Sequence, residues 1–305
     1  MGKITASKVV DGNFGNCVRL TNGIVEALVT LDFGPRVISV SRKGMENMMY
    51  QDIEKKPLDP KLEEYDGQFT LYGGHRIWIS PEVLPRCYYP DNKPVVYKKI
   101  QNGASFAAPV EDKNFIQKTI RITMTEEAPE FYVEHEVKNC GMWDIEFAIW
   151  CLTVLDGGGK EVIPMPKREA GLLSNRNISL WDYSEMNDPR VYWGKNYITL
   201  KQDKSKKNPF KLGINNEEGW AAYFNKGQVF IKSFEPSPEG FYPDNNCCFE
   251  TYTNNVMLEC ESLSEFVLLE PGEEACHGET WEIFEADAAP SDNEKEIDKV
   301  MKKYL

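Results

Sequence analysis

A chain of 305 residues that is 41% hydrophobic, with 15 Phe, 14 Tyr and 7 Trp, carries ample material for a core, which excludes a disordered protein. Its 48 acidic and 35 basic residues give a net charge of −13, which repels phosphate backbones and anionic surfaces, so neither nucleic acid nor membrane is an expected partner. No apolar run approaches about 18 residues, and Met1 to Ser7 offers neither an apolar leader nor the Ser or Thr that myristoylation needs where Ala6 stands, so a cytoplasmic location is expected.

In chain order the first strand-like runs are Ile24 to Leu31, Arg36 to Val40 and Val95 to Ile100. Apolar residues then alternate at Ile116, Ile120, Ile122 and Met124, and again at Phe131, Val133, His135 and Val137, the period of two that marks half-buried strands. Further runs are Ile145 to Leu155, Val191 to Leu200, Trp220 to Phe224, Val229 to Phe234, Cys248 to Ser262, Glu265 to Leu269 and Glu279 to Glu285. Turn formers separate them, as at Thr21-Asn22-Gly23, Asp156-Gly157-Gly158-Gly159 and Glu270-Pro271-Gly272. Helical spacing is confined to the end, where Ile297, Val300, Met301 and Leu305 follow a cap candidate at Ser291-Asp292. The pattern predicts one all-β domain over 1–305, mostly antiparallel, with its core at about 20–286 and a helix over 292–305.

The eight cysteines are too sparse for a disulfide scaffold, and none forms a CxxC pair. The chain has no HExxH, EF-hand, Walker A, GxGxxG or GxSxG element, so no metal, cofactor or serine-hydrolase centre is expected.

Two clusters remain as sites. In Gly73-Gly74-His75-Arg76-Ile77-Trp78-Ile79-Ser80-Pro81-Glu82 a glycine pair precedes a cation donor and an aromatic platform, and strand alternation would put either Arg76 and Trp78 or His75 and Ile77 on a cleft. An arginine bonds vicinal hydroxyls and an indole stacks on a sugar's apolar face, so Arg76, Trp78 and Glu82 are candidate carbohydrate ligands. The second cluster is Tyr242-Pro243-Asp244, with Glu250, Tyr252, Glu259 and Glu261 beyond it. Glu259 and Glu261 share one strand face, where proximity raises the pKa of one carboxyl and suits it to acid-base work. Of the three histidines, His135 reads as structural and His277 as a loop residue, which leaves His75 as the titrating candidate.

Several segments together resemble the galactose-mutarotase-like superfamily, which includes the aldose 1-epimerases. They are Asn22 to Ala27 with Asp32-Phe33-Gly34-Pro35-Arg36-Val37-Ile38, the Gly73-Gly74 element, Asn139-Cys140-Gly141 leading into Phe147 to Leu155, and Met257 to Ser262 with Leu269 to Glu273 and Trp281. Gly73 to Glu82 and Tyr89-Pro90-Asp91-Asn92 resemble one branch of it. The resemblance implies a β-supersandwich and an aldose 1-epimerase-like enzyme, in which a Glu base takes the anomeric O1 proton and a His acid protonates the ring oxygen. Carried over, the base is Glu261 and the His position is Leu152. Leucine donates no proton, so His75 is expected as the acid, with Arg76, Trp78, Glu82, Tyr242, Asp244 and Glu259 binding a small sugar or an oligosaccharide. Arg36 falls on the fold motif and takes a structural role. The alternative expectation, motivated by Leu152, is a carbohydrate-binding or sensing protein without catalysis.

Overall fold

The computed structural model describes residues 3–57, 68–237 and 239–305, so Met1 and Gly2 lie outside the described residues. Two antiparallel sheets, one of eleven strands and one of ten, pack face to face as an all-β sandwich. Side chains from both sheets enter one continuous apolar core, which includes Ile77, Cys151 and Cys260 from the first and Phe131, Phe230 and Trp281 from the second.

The middle of the eleven-stranded sheet runs in the order Val37–Arg42, Gly74–Ser80, Ile145–Asp156, Met257–Leu263, Phe249–Thr253 and Phe210–Ile214. Ile145–Asp156 is buried from Phe147 through Leu155, because one face meets the second sheet and the other lies under a layer of loops. That second face carries an aromatic cluster of its own, formed by Phe69, Trp78, Trp150, Leu152 and Leu263 with Tyr88 against it.

Gly73 and Gly74 let Gly74–Ser80 enter this sheet. Their φ angles are 82° and 68°, and an added Cβ would lie 2.2 Å from the Tyr50 carbonyl oxygen at the first and 2.2 Å from that of Val37 at the second. Arg36, wholly buried, grips the Asp91 carboxylate through Nε at 2.7 Å and Nη2 at 3.1 Å and donates to the Leu71 carbonyl, so it ties the loop over 89–92 to the sheet as a structural residue should.

Several expected elements differ in extent. The sheet begins with the hairpin Thr5–Asp11 and Gly15–Thr21, ahead of the core expected near residue 20. Val191 to Leu200 divides into Val191–Trp193 and Tyr197–Lys201 around Gly194, and Cys248 to Ser262 into the hairpin Phe249–Thr253 and Met257–Leu263. In that turn the Asn254 side-chain oxygen accepts from the amides of Val256 and Met257. The helix is shorter than its apolar spacing, Glu294–Met301, and starts where the Asn293 oxygen caps the amides of Lys295 and Glu296. Ile297 and Met301 seat it on Val162, Trp220 and Ile231, on the outer face of the ten-stranded sheet.

Candidate functional site

Residues directly opposite in an antiparallel ladder share a face. Across the eleven-stranded sheet Arg76, Leu152, Glu261 and Glu250 form one such row. On one side of it lie Trp78, Trp150 and Leu263, and on the other Val154, Glu259, Tyr252 and Lys211. The face that turns away from the second sheet therefore gathers two cations, three carboxylates and two indoles.

Lys211 is the hub. Its Nζ lies 2.7 Å from Glu250 Oε2 and 3.2 Å from Glu261 Oε2, and 4.5 Å from the ring centroids of both Trp150 and Trp181. Trp150 Nε1 donates to the same Glu261 oxygen at 2.8 Å. Beside this triad Arg76 Nη1 donates to Glu259 Oε1 at 3.2 Å, with its guanidinium 4.5 Å from the Trp78 ring. Glu250 and Glu261 are wholly buried, yet Glu261 Oε1 and both Glu250 oxygens have no hydrogen-bond partner. The Lys211 contact to Glu250 is thus an ion pair off the hydrogen-bonding direction.

Burial pushes the Glu250 carboxyl well above the usual carboxylate range, Glu261 adds to the rise, and Lys211 opposes it. Glu261 is raised by burial and by Glu259, again against Lys211. Burial works against the charge on Lys211, but Glu261 and Glu250 outweigh it and hold the ammonium above its ordinary value. One ammonium offsets the charge of only one of the two buried carboxylates, and a proton on the other would leave the triad neutral.

A cavity of about 400 Å³ opens on this face, lined by Glu82, Trp150, Trp181, Lys211, Asp244 and Glu250 among others. Glu82 at its rim accepts from the Tyr88 hydroxyl at 2.5 Å. Asp244 stands in a left-handed turn in which Asp244, Asn245 and Asn246 have φ of 52°, 64° and 67°, a conformation tolerated by Asp and Asn but costly in succession.

The structure thus brings Arg76, Trp78, Glu259 and Glu261 onto one face and Glu82 and Asp244 to a cavity on it. Two expected site residues are not there. Tyr242 is 6% exposed within the core, where its hydroxyl accepts from the Ser237 amide and its own amide donates to Asn246 Oδ1. His75, one residue out of step with Arg76, points between the sheets, so it cannot supply a proton to the Glu261 face.

His75 meets the other two histidines in the interior. Its Nε2 is 2.7 Å from His135 Nε2 and its Nδ1 is 2.9 Å from Thr153 Oγ1. His135 Nδ1 faces the His277 carbonyl at 2.9 Å and must carry the proton there, which makes its Nε2 the acceptor and His75 Nε2 the donor. His277, expected in a loop, lies in strand Glu274–Glu285 with Nε2 2.8 Å from Ser262 Oγ. Burial holds all three imidazoles below their usual range, His277 at about 4. Among the described residues, His75, His135 and Glu279, and Cys151, His277 and Glu279, have metal-ligand spacing. Glu279, however, accepts from Ser262 and from Trp281 Nε1 and pairs with Lys232 Nζ at 2.8 Å. These groups satisfy one another, and Lys232 puts a positive charge where a cation would sit.

Lys211, Trp150 and Trp181 are site residues that the sequence does not single out, and Glu250 stands out in it only as part of a cluster. Trp150 sits inside an unbroken apolar run, and Phe210–Ile214 is too short to reveal its facing by period.

No family model and no curated protein matches the sequence. Solved structures do resemble it in fold. A TPR-domain-containing protein from Parabacteroides distasonis superimposes with a TM-score of 0.61 at 13% identity, over 90% of this chain and 48% of that one, so this chain spans about half its length. A galactose mutarotase-like protein from Lactobacillus casei gives 0.59 at 10% identity, over 88% of this chain and all of that one. A candidate aldose 1-epimerase from Klebsiella pneumoniae gives 0.59 at 13% identity, over 98% and 86%.

Proposed function

We propose that this chain, which has the galactose mutarotase-like fold, is a sugar-acting acid-base enzyme that interconverts anomers with Glu261 as base and Glu250 as acid. The observation that carries the reading is the Lys211 triad: two buried carboxyls bridged by one ammonium beside a cavity of about 400 Å³ walled by Trp150 and Trp181. A pyranose would stack on the indoles, with its anomeric end toward Glu261. Glu261, ionised, takes the O1 proton as the bond from C1 to the ring oxygen breaks, and Glu250, protonated, delivers a proton to that oxygen. The aldehyde turns about its bond to C2, and the reverse transfers close the ring on the other face and restore both carboxyls. Lys211 stabilises whichever carboxylate is charged at each step.

On this reading Leu152 leaves no gap in the chemistry, because Glu250 stands directly across from Glu261 and replaces the missing imidazole. The test is two-dimensional exchange NMR of α and β anomers across a panel of free aldoses. Exchange faster than buffer supports the enzyme, and stabilisation of the fold by a sugar without faster exchange would assign a binding or sensing protein instead.

A further inference from the structure

Every cation of the site is already matched by a carboxylate: Lys211 by Glu250 and Glu261, and Arg76 by Glu259. Among the described residues that line the cavity, no cation is left to receive a phosphate or a carboxylate on a substrate. Two further acids at the rim, Glu82 and Asp244, form no ion pair among the described residues, although Lys211 lines the same cavity. Among the described residues Glu82 takes only the neutral Tyr88 hydroxyl, and no hydrogen bond engages the Asp244 side chain. Deeper in, Glu250 lines the same cavity while wholly buried, with Oε1 unpartnered. The walls between are aromatic, and Lys211 demonstrates what they accept, since its ammonium rests 4.5 Å from two indole rings.

From this uncompensated charge we propose that the cleft selects a cationic sugar, an amino sugar whose ammonium sits at the rim near Glu82 and Asp244. The proposal rests on the sugar-acting reading of the same site. An ammonium there gains two carboxylates that form no ion pair among the described residues, whereas a phosphate is repelled by both, and the Lys211 ammonium in the same lining is already paired with Glu250 and Glu261. Asp244 lines the rim from within the left-handed turn Asp244 to Asn246.

Titration calorimetry on the full chain at about pH 6, where an amine carries its proton, compares D-glucosamine, D-glucose, N-acetyl-D-glucosamine and D-glucose 6-phosphate. D-Glucosamine should bind about tenfold more tightly than D-glucose, as two partly exposed charge contacts and a cation–π contact allow. D-Glucose 6-phosphate should be the weakest. In the double variant Glu82→Gln, Asp244→Asn the ratio of glucosamine to glucose affinity should fall to about one, and salt near 1 M, where screening acts within about 3 Å, should shrink it in the native chain. Both positions are exposed, and the thermal transition of the variant verifies its fold. Equal affinity for D-glucosamine and D-glucose, or tighter binding of the phosphate, overturns the amino-sugar assignment and leaves the sugar reading standing. Binding of none of the four overturns both.

Discussion

At the scale of single residues, a Lys211 ammonium with Glu250 and Glu261 survives burial only as a unit. Removing the cation leaves two desolvated carboxyls, so Lys211→Met should lower stability to urea by about 3–5 kcal/mol at pH 7. The loss should shrink as pH falls, because burial raises both carboxyls and protonation removes the charge left without its counter-ion. Glu161 offers an independent check on burial. It is wholly buried in strand Lys160–Pro164 beside Thr251 and Cys260, and burial, with Glu261 adding and Lys232 opposing, pushes it from 4.5 up to about 8. Its folded pKa is the higher one, so its contribution to stability is complete below pH 4.5 and is lost as pH rises to about 8. The depressed imidazoles contribute equally to the native chain and to the variant and cancel from their difference. Between pH 6.5 and 8 Glu161→Gln should therefore flatten the fall in unfolding free energy by about 1.4 kcal/mol per pH unit, measured by urea titration at several pH values. An unchanged slope would place the Glu161 charge in water.

At the scale of elements, strand parity decides which residues meet. The alternation in Gly74–Ser80 was legible in the sequence, and so was its consequence that Arg76 and Trp78 or His75 and Ile77, not both, reach a cleft. Which pair does so depends on the partner strand, and Ile145–Asp156 is apolar on both faces, so its own pattern gives no parity. The pairing Arg76 with Leu152 with Glu261 settles it and sends His75 to the core. Glu259 and Glu261 could be placed on one face because a lone Cys260 separates them, whereas Glu250 joins them through the register of the hairpin Phe249–Thr253 and Met257–Leu263, and Lys211 only through pairing with a strand far away in sequence. The glycine pair was readable as a sharp turn, and its packing makes a stringent prediction. Gly74→Ala adds a Cβ 2.2 Å from a main-chain oxygen at a φ of 68°, so it should cost more than about 2 kcal/mol by urea midpoint and shift strand Gly74–Ser80. A loss under about 0.5 kcal/mol would mean that the strand enters the sheet another way.

At the scale of the whole molecule, the all-β class and many strand positions follow from period-two patterning and turn residues. The early hairpin was less legible because Thr5–Asp11 is mostly exposed or half-buried and shows no clean apolar period. The sandwich gives the site its chemistry by supplying a low-dielectric floor: the same sheet that buries Ile77 and Cys151 against the second sheet buries Glu250 and Glu261 under loops on its other face. The account stands on these two carboxyls dividing the roles of acid and base where Leu152 offers none. Its most direct test is the rate of anomer exchange, by two-dimensional exchange NMR on the best sugar substrate, for the native chain, Glu250→Gln and Glu261→Gln. Each substitution should lower the rate by about 10² to 10⁴ with the fold intact, and a Glu250→Gln variant that keeps the native rate would contradict the account.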